Sequence, residues 1–481
     1  MRKLSFVALF FLLPLGAGLA AAPGDPTPGA PAPAAPAVTT AAASDTAAAP
    51  ASTPTPAPAP SSATNAPAVT TSPGAASPPA PAPTAPAPYA PPAPAVDLGI
   101  DVLASNHFAG LEGKRVGLLT NQSGVNGQGR STIDVLREAP NVKLVALYAP
   151  EHGIYGAELA GDSVADAKDA RTGLPVFSLY GDTRKPTPEM LKGIDVMVFD
   201  LQDIGCRSYT FISTMGLAME ACGEAGKEFY VLDRPNPIGG DRIEGMPLDP
   251  AYRSFVGEWD VPYLHGLTVG ELAWMIHGEK WIKARPKLTV VPMRGWKRSM
   301  QWDETGLPWV PPSPHIPTPE SALDYAVTGL WGEFPNLSNG VGYTLPFGLM
   351  GAPDLDRFAL KAGMDKRNLP GFLFIPALYK PFYGSLRDLL LSGIQIHYSD
   401  PARADLMAAA MGLIEEIQKQ YNKEIFTTLT PEKIDLFDKL CGGPALRLHF
   451  TARKPAQDLI DSWQPSIEAF RARRAKYLLY K

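Results

Sequence analysis

Three short stretches of the chain bring together acidic, basic and aromatic side chains of the kinds that move protons. They are Glu151-His152, then Asp200, Gln202 and Asp203 with Arg207 and Tyr209, and finally Asp233, Arg234 and Asn236. Each follows a strand-length, largely apolar run: Leu144 to Ala149, Val196 to Phe199, and Glu228 to Leu232. Such runs, closed by turn formers, predict strands buried on both faces. In a parallel sheet the residues that follow the strands share one edge, so clusters distant in sequence converge on one crevice. Carboxylates, an arginine and tyrosines without metal-ligand spacing suit acid–base work on a sugar or ester better than redox chemistry. Glu151 sits on a strand tip facing the expected crevice; the alternative is a turn glutamate paired with a neighbour. Asp200 and Asp233 likewise have a second reading as caps of the turns they begin, with Arg207 as a counter-ion.

The elements that would position these groups alternate along the first half. Strands are expected from Arg115 to Leu119, Val142 to Tyr148, Pro175 to Leu179, Val196 to Phe199, Glu228 to Leu232 and Leu288 to Val291. Helices are expected from Ser131 to Ala139 with Ser131 as N-cap, from Tyr209 to Ala225, and from Thr268 to Trp281. This alternation predicts an α/β fold with a doubly wound, Rossmann-like domain over 97–317. A Pro- and Trp-rich connection from Trp302 to Thr318 forbids a helix and places the boundary near Pro317. A smaller α+β domain over 318–481 follows, with a strand from Ile394 to Tyr398. Its helices are expected from Ala402 to Tyr421, Pro431 to Leu440 and Ser466 to Tyr477.

Several signals are discounted. Gly127-Gln128-Gly129 begins like a dinucleotide fingerprint but lacks the third glycine, so no cofactor is expected. The seven histidines are scattered and no metal site is expected. Glu271, three residues after Thr268, reads first as a capping-box residue. His265, just before that helix, either points into the cleft or supports its loop. Neither a G-x-S-x-G elbow nor a Walker loop occurs. A net charge of −5 without a long basic run argues against nucleic acid as a partner. Three cysteines, Cys206, Cys222 and Cys441, are too few for a disulfide framework, though one bridge is open to an exported chain.

The beginning of the chain is of another kind. Arg2 and Lys3 precede an apolar stretch from Leu4 to about Leu15, with small residues at Gly18-Leu19-Ala20. This reads as a signal peptide over 1–20, too short to count as a transmembrane span. From 21 to 96 the chain is almost wholly Ala, Pro, Ser and Thr, a composition that cannot offset the entropy of ordering. The expectation is an exported protein, periplasmic or extracellular, on a disordered spacer, with no transmembrane segment in the mature chain.

The motifs also recur together, and in this order, in one family. Pro150-Glu151-His152-Gly153, Ala160-Gly161-Asp162, Val198-Phe199-Asp200-Leu201-Gln202-Asp203, Val231-Leu232-Asp233-Arg234-Pro235-Asn236-Pro237, His265-Gly266-Leu267-Thr268 and Leu307-Pro308-Trp309-Val310 carry the likeness. From Gly99 to Lys481 the chain resembles the exo-β-N-acetylmuramidase (NamZ-type) family. The resemblance implies a Rossmann-like first domain, a smaller second one, and an active site in the cleft between them. It implies release of N-acetylmuramic acid from the non-reducing ends of peptidoglycan fragments, with the family's catalytic carboxylate falling on Glu151. The expected catalytic set is Glu151, His152, Asp200 and Asp203. Gln202, Arg207, Tyr209, Asp233, Arg234, Asn236 and His265 are expected at the substrate. Glu151 would protonate the leaving oxygen, and Asp200, Asp203 or Asp233 would be its partner. The chain departs from the family's S-x-G-R-G-T and P-F-E stretches, with Val341 in place of the arginine and Gly348 in place of the glutamate. His315 also stands where asparagine is common. These departures are expected on the second domain's wall of the cleft. They favour the alternative reading, a peptidoglycan-binding protein that kept the fold without turnover.

Overall fold

The computed structural model describes residues 94–158, 167–421 and 424–481. The signal segment, the spacer up to residue 93 and Ala160-Gly161-Asp162 lie outside the described residues. The first half builds seven strands: β1 (Arg115–Thr120), β2 (Lys143–Ala149), β3 (Ala167–Lys168), β4 (Pro175–Ser178), β5 (Val196–Asp200), β6 (Glu228–Leu232) and β7 (Leu288–Val291). They form one sheet in the order β3-β4-β2-β1-β5-β6-β7. Every pairing is parallel except that of the short edge strand β3 with β4.

Helices cover both faces, and the reason is visible in β5, where all five residues are buried. Met197 and Phe199 face one apolar layer, shared with Met215 of α4 (Phe211–Glu224) and Leu272 of α5 (Val269–Gly278). Val196 and Val198 face the other, shared with Ile100 of α1 (Gly99–Ser105) and Ile133 of α2 (Thr132–Glu138). Side chains alternate across a strand, so an unbroken apolar run needs a cover on each side. A short α3 (Pro188–Leu191) precedes β5. Ser131 caps α2 by accepting from the Ile133 N–H at 3.2 Å. Thr268 and Glu271 close a reciprocal capping box on α5.

The second half opens with α6 (Pro319–Thr328) and continues through β8 (Leu349–Ala352), α7 (Arg357–Asp365), β9 (Phe372–Tyr379) and β10 (Leu391–Tyr398). The three strands form a separate antiparallel sheet in the order β8-β10-β9. Then come α8 (Leu406–Gln420), α9 (Pro431–Cys441), α10 (Ala445–Thr451) and α11 (Ala456–Arg474). One apolar cluster runs from the α4/α5 side of the large sheet into this half, through Trp331, Phe334, Phe437 and Phe450. The chain end returns to the first half: the Tyr480 hydroxyl donates to Asp233 at 2.5 Å, and the Leu479 N–H donates to Glu271 at 2.9 Å.

Some expectations need correction. The packed body includes the last residues assigned to the spacer: Val96 is 1% exposed and the Ala95 N–H donates to the Thr305 carbonyl at 2.9 Å. Helix α11 begins at Ala456 and runs through Pro465, which had marked its expected start. Leu459, Trp463, Ile467 and Phe470 are buried at helical spacing on both sides of the proline, and that packing outweighs the missing donor. Helices α1, α3, α6, α7 and α10 and strands β3, β8 and β9 were not anticipated. All three cysteines are buried and free. No helix of the described residues is long and apolar enough to cross a membrane.

Candidate active site

Each tip cluster stands where its strand delivers it, at the carboxyl edge of the large sheet, but the groups differ in what they are bonded to. Glu151 follows β2 and Pro150 and is 7% exposed. Thr210, the residue heading α4, donates its hydroxyl to Glu151 Oε2 at 2.6 Å. The second oxygen, Oε1, has no hydrogen bond among the described residues. His152 is held by Nδ1 against the Glu158 carbonyl at 3.0 Å, with a left-handed backbone at φ 71°. A bulky residue in that region stores strain, which persists where surrounding structure over-determines it.

Asp203 is the second carboxyl of this neighbourhood. One oxygen accepts from the Gly205 N–H at 2.7 Å, and the other, Oδ1, is buried with no hydrogen bond among the described residues. Burial pushes its acid up to about 7, opposed only by backbone hydrogen bonds from Gly205 and Ile204. Tyr209 and Tyr325 lie within the electrostatic reach of both carboxyls. Their rings meet edge to face at 6.1 Å and 83°. Burial raises the Tyr209 phenol well above its usual range; the Ser313 hydroxyl works against this, while Asp203 and Glu151 add to it. Tyr325 is raised first by burial, with Glu151 and Asp203 among the added causes, and it shares a 3.1 Å hydrogen bond with Ser208. On the rim, His315 lies 2.8 Å from the Tyr383 hydroxyl, and burial followed by His152 pushes its imidazole down to about 4.

The remaining expected site residues are engaged in hydrogen bonds and ion pairs within the protein. Asp200 is fully buried in a two-point ion pair with Arg234, at 2.5 and 3.0 Å, and also accepts from Thr132. Arg234 spends a further N–H on the Val125 carbonyl at 2.6 Å. Asp233 accepts from the Gly270 N–H and the Thr268 hydroxyl, both at 2.8 Å, and so caps α5. Gln202 ties the β5 tip to the β6 tip by donating to the Asp203 and Pro235 carbonyls. Asn236 donates to the Leu267 carbonyl at 3.0 Å. Arg207 is not a counter-ion at the sheet edge: its guanidinium is wholly buried, donating to the carbonyls of Met246, Val261 and Leu440. His265 is 1% exposed, accepts from the Leu267 N–H at 3.1 Å, and is pushed down to about 3 by burial. It supports its loop.

Of the expected residues, the structure thus gathers Glu151, His152, Asp203 and Tyr209, and adds Thr210, Tyr325, Ser313 and His315. Thr210 was legible as the residue opening a helix next to Tyr209, but Tyr325 lies on α6, which the proline-rich sequence concealed.

Comparison with known proteins agrees along the whole packed body. Residues 116–320 match the family model described as exo-β-N-acetylmuramidase NamZ, N-terminal, and residues 323–480 match its C-terminal counterpart. The chain belongs to the NamZ family. A NamZ relative from Bacillus subtilis (strain 168), named peptidoglycan β-N-acetylmuramidase, is 43% identical over 387 residues, covering 80% of this chain and 92% of the relative. Two solved DUF1343 family proteins from Bacteroides fragilis NCTC 9343 share the fold. One is 48% identical with a TM-score of 0.78, covering 81% of this chain and 100% of its own. The other is 29% identical with a TM-score of 0.64, covering 80% and 99%. The two NamZ models meet between residues 320 and 323, at the start of α6.

Within this family's frame, the two departures take on a structural meaning. Val341 is 4% exposed and belongs to the large apolar cluster, so it packs in the core instead of lining the cleft wall. Gly348 adjoins a carboxylate from another element: a Cβ placed there would lie 3.1 Å from Asp324 Oδ2.

Proposed function

We infer that the protein is an exo-acting glycoside hydrolase that releases N-acetylmuramic acid from the non-reducing ends of peptidoglycan fragments. NamZ membership and the muramidase from Bacillus subtilis support the activity. One observation carries the assignment of the acid. Among the strand-tip carboxyls, Asp200 is locked to Arg234, Asp233 caps α5, and the unpaired oxygen of Asp203 is sealed from solvent. Glu151 has one oxygen without a hydrogen bond among the described residues, and Thr210 orients the other. In this reading Glu151 protonates the glycosidic oxygen as its bond to the anomeric carbon breaks, the leaving sugar departs as an alcohol, and water supplies the hydroxyl that ends on the anomeric carbon and the proton that restores Glu151. Asp203 and the two tyrosines shape the field around it.

The sheet is read as a Rossmann-like doubly wound one. Leaving aside the two-residue β3, its strands in chain order lie third, second, first, fourth, fifth, sixth, and the site sits at the carboxyl edge near the switch between β1 and β5. The first-half and second-half divisions are read as two domains meeting near residue 317. The basic and apolar start of the chain supports export to a periplasmic or extracellular location.

The test is Glu151→Gln on a natural MurNAc-terminated disaccharide. The amide keeps the Thr210 contact and cannot give a proton, so kcat is expected to fall by ~10²–10⁴ with an unchanged melting transition. Near-wild-type turnover would remove Glu151 from the role. Absence of turnover in the wild type, with the disaccharide still bound, would favour the non-catalytic reading instead.

A further inference from the structure

The surroundings of Glu151 reach the second half of the chain through the proline-rich connection. Thr210 donates to Glu151 at 2.6 Å, and the phenol of its neighbour Tyr209 feels the Ser313 hydroxyl. Two residues on, His315 feels the charge of His152, the residue after Glu151. On its far side, His315 Nε2 lies 2.8 Å from the Tyr383 hydroxyl, and the two rings stack at 6.3 Å and 27°. Tyr383 belongs to the loop 380–390 that joins β9 to β10.

The two sides of this contact are held differently. The stretch before His315 is tied to the residues that follow β1: the Gln122 amide donates to the Pro311 carbonyl at 2.8 Å, and the Asn121 amide to the Pro312 carbonyl at 3.0 Å. Just after it, the Trp309 indole N–H donates to the Ile316 carbonyl at 3.1 Å. Prolines at 311, 312 and 314 restrict the backbone further. The loop 380–390 bonds largely to itself, with the Asp388 N–H on the Pro381 carbonyl and the Arg387 N–H on that of Gly384. Its anchor in the second half is Gly342, whose carbonyl accepts from the Phe382 N–H at 2.7 Å. A Cβ at Gly342, where φ is 92°, would lie 2.5 Å from the Tyr383 carbonyl oxygen, so only glycine lets the loop approach this closely. Among the described residues, the His315–Tyr383 pair is the loop's one hydrogen bond to the connection 302–318. Tyr383 is 46% exposed, so much of its ring stays open to a ligand. An asparagine amide at 315 would extend only as far as the imidazole Nδ1; it is the longer reach of Nε2 that meets the tyrosine.

We propose that His315 is a positioning residue: by holding the Tyr383 hydroxyl it fixes the loop 380–390 against the rim of the Glu151 site, where Tyr383 contacts the bound substrate. The proposal rests on the exo-muramidase reading. It belongs to this chain's own residues, because the histidine stands where asparagine is common in the family.

The test is steady-state kinetics on a MurNAc–GlcNAc disaccharide. His315→Ala and Tyr383→Phe are each expected to raise KM ~3–10-fold, the effect of one neutral hydrogen bond, and to lower kcat by less, with an unchanged melting transition. The double variant should lose no more than the worse single one, because both changes remove the same contact. His315→Gln, whose amide reaches the Nε2 position, should restore most of the loss. Losses that multiply in the double variant, a loss carried by kcat alone, an unmoved KM, or a glutamine variant as weak as the alanine one each overturn the proposal. If His315→Ala fails to fold, Tyr383→Phe, which deletes one oxygen from an exposed side chain, carries the test together with His315→Gln. If the wild type does not hydrolyse the disaccharide, the muramidase reading fails on its own, and calorimetric titration with the same sugar decides the positioning role. The same pattern in Kd then supports it, and equal affinities or no binding overturn it.

Discussion

Replacing Asp203 by asparagine should make the protein more stable at alkaline pH while changing little in acid. The folded-state acid is raised from 3.8 to about 7 by burial. Between those two values the native chain holds a proton that the unfolded chain has released, so stability falls as pH rises through the window. Below about pH 4 both states are protonated and the group costs nothing. Above about pH 7 the carboxylate is charged, buried and half-unpaired, and its full penalty is present. A shift of ~3 units at ~1.4 kcal/mol each sets the ceiling near 4 kcal/mol. Asp233, Glu244 and Glu333 are also pushed up to about 7 by burial, so the wild-type curve alone mixes several groups. The difference between Asp203→Asn and wild type isolates one of them. Urea unfolding at half-unit steps from pH 4.5 to 8.5 should give a difference that grows with pH and levels off above 7. Parallel curves, or a difference that shrinks with pH, would refute the claim that Asp203 is desolvated in the native state. Because Oδ1 is sealed from solvent, the variant should also retain a Michaelis complex, and loss of substrate binding would place Asp203 in direct contact with the sugar.

Two further outcomes follow from burial. Val341→Arg, which restores the residue common in the family, should destabilise the protein by about 3 kcal/mol or more, because it puts an unpaired charge into a core position that is 4% exposed; an unchanged thermal midpoint would show that the loop opens to the cleft. Deleting residues 1–93 should leave the cooperative transition intact, whereas deleting through residue 96 removes Val96 and the Ala95–Thr305 hydrogen bond and should cost ~2–3 kcal/mol more; equal denaturation midpoints for the two truncations would refute this.

What the sequence could disclose was set by the range of the interactions involved. Apolar runs such as Val196–Phe199 are local and unambiguous, because a strand buried on both faces has no polar residues to spare. The strands and the convergence of their tips on one edge were therefore readable. Which tip residue remains free was not, since that depends on partners far along the chain. Asp200 is claimed by Arg234 from the next tip, and Asp233 by the α5 N-terminus and by Tyr480, 247 residues away. Glu151 differs in that, among the described residues, a threonine hydroxyl is its one hydrogen-bond partner. The second wall was hidden for a different reason. Prolines that forbid a helix interior also favour its first turn, and Pro319 behind the Thr318 cap begins α6 where no helix was expected. That one helix carries both Tyr325, which packs edge to face on Tyr209 and feels the charge of Glu151 and Asp203, and Asp324, which lines a separate groove. A residue's chemistry is written in the sequence, but its availability is decided by what packs against it, so burial and unpaired oxygens separate site from scaffold where residue type cannot.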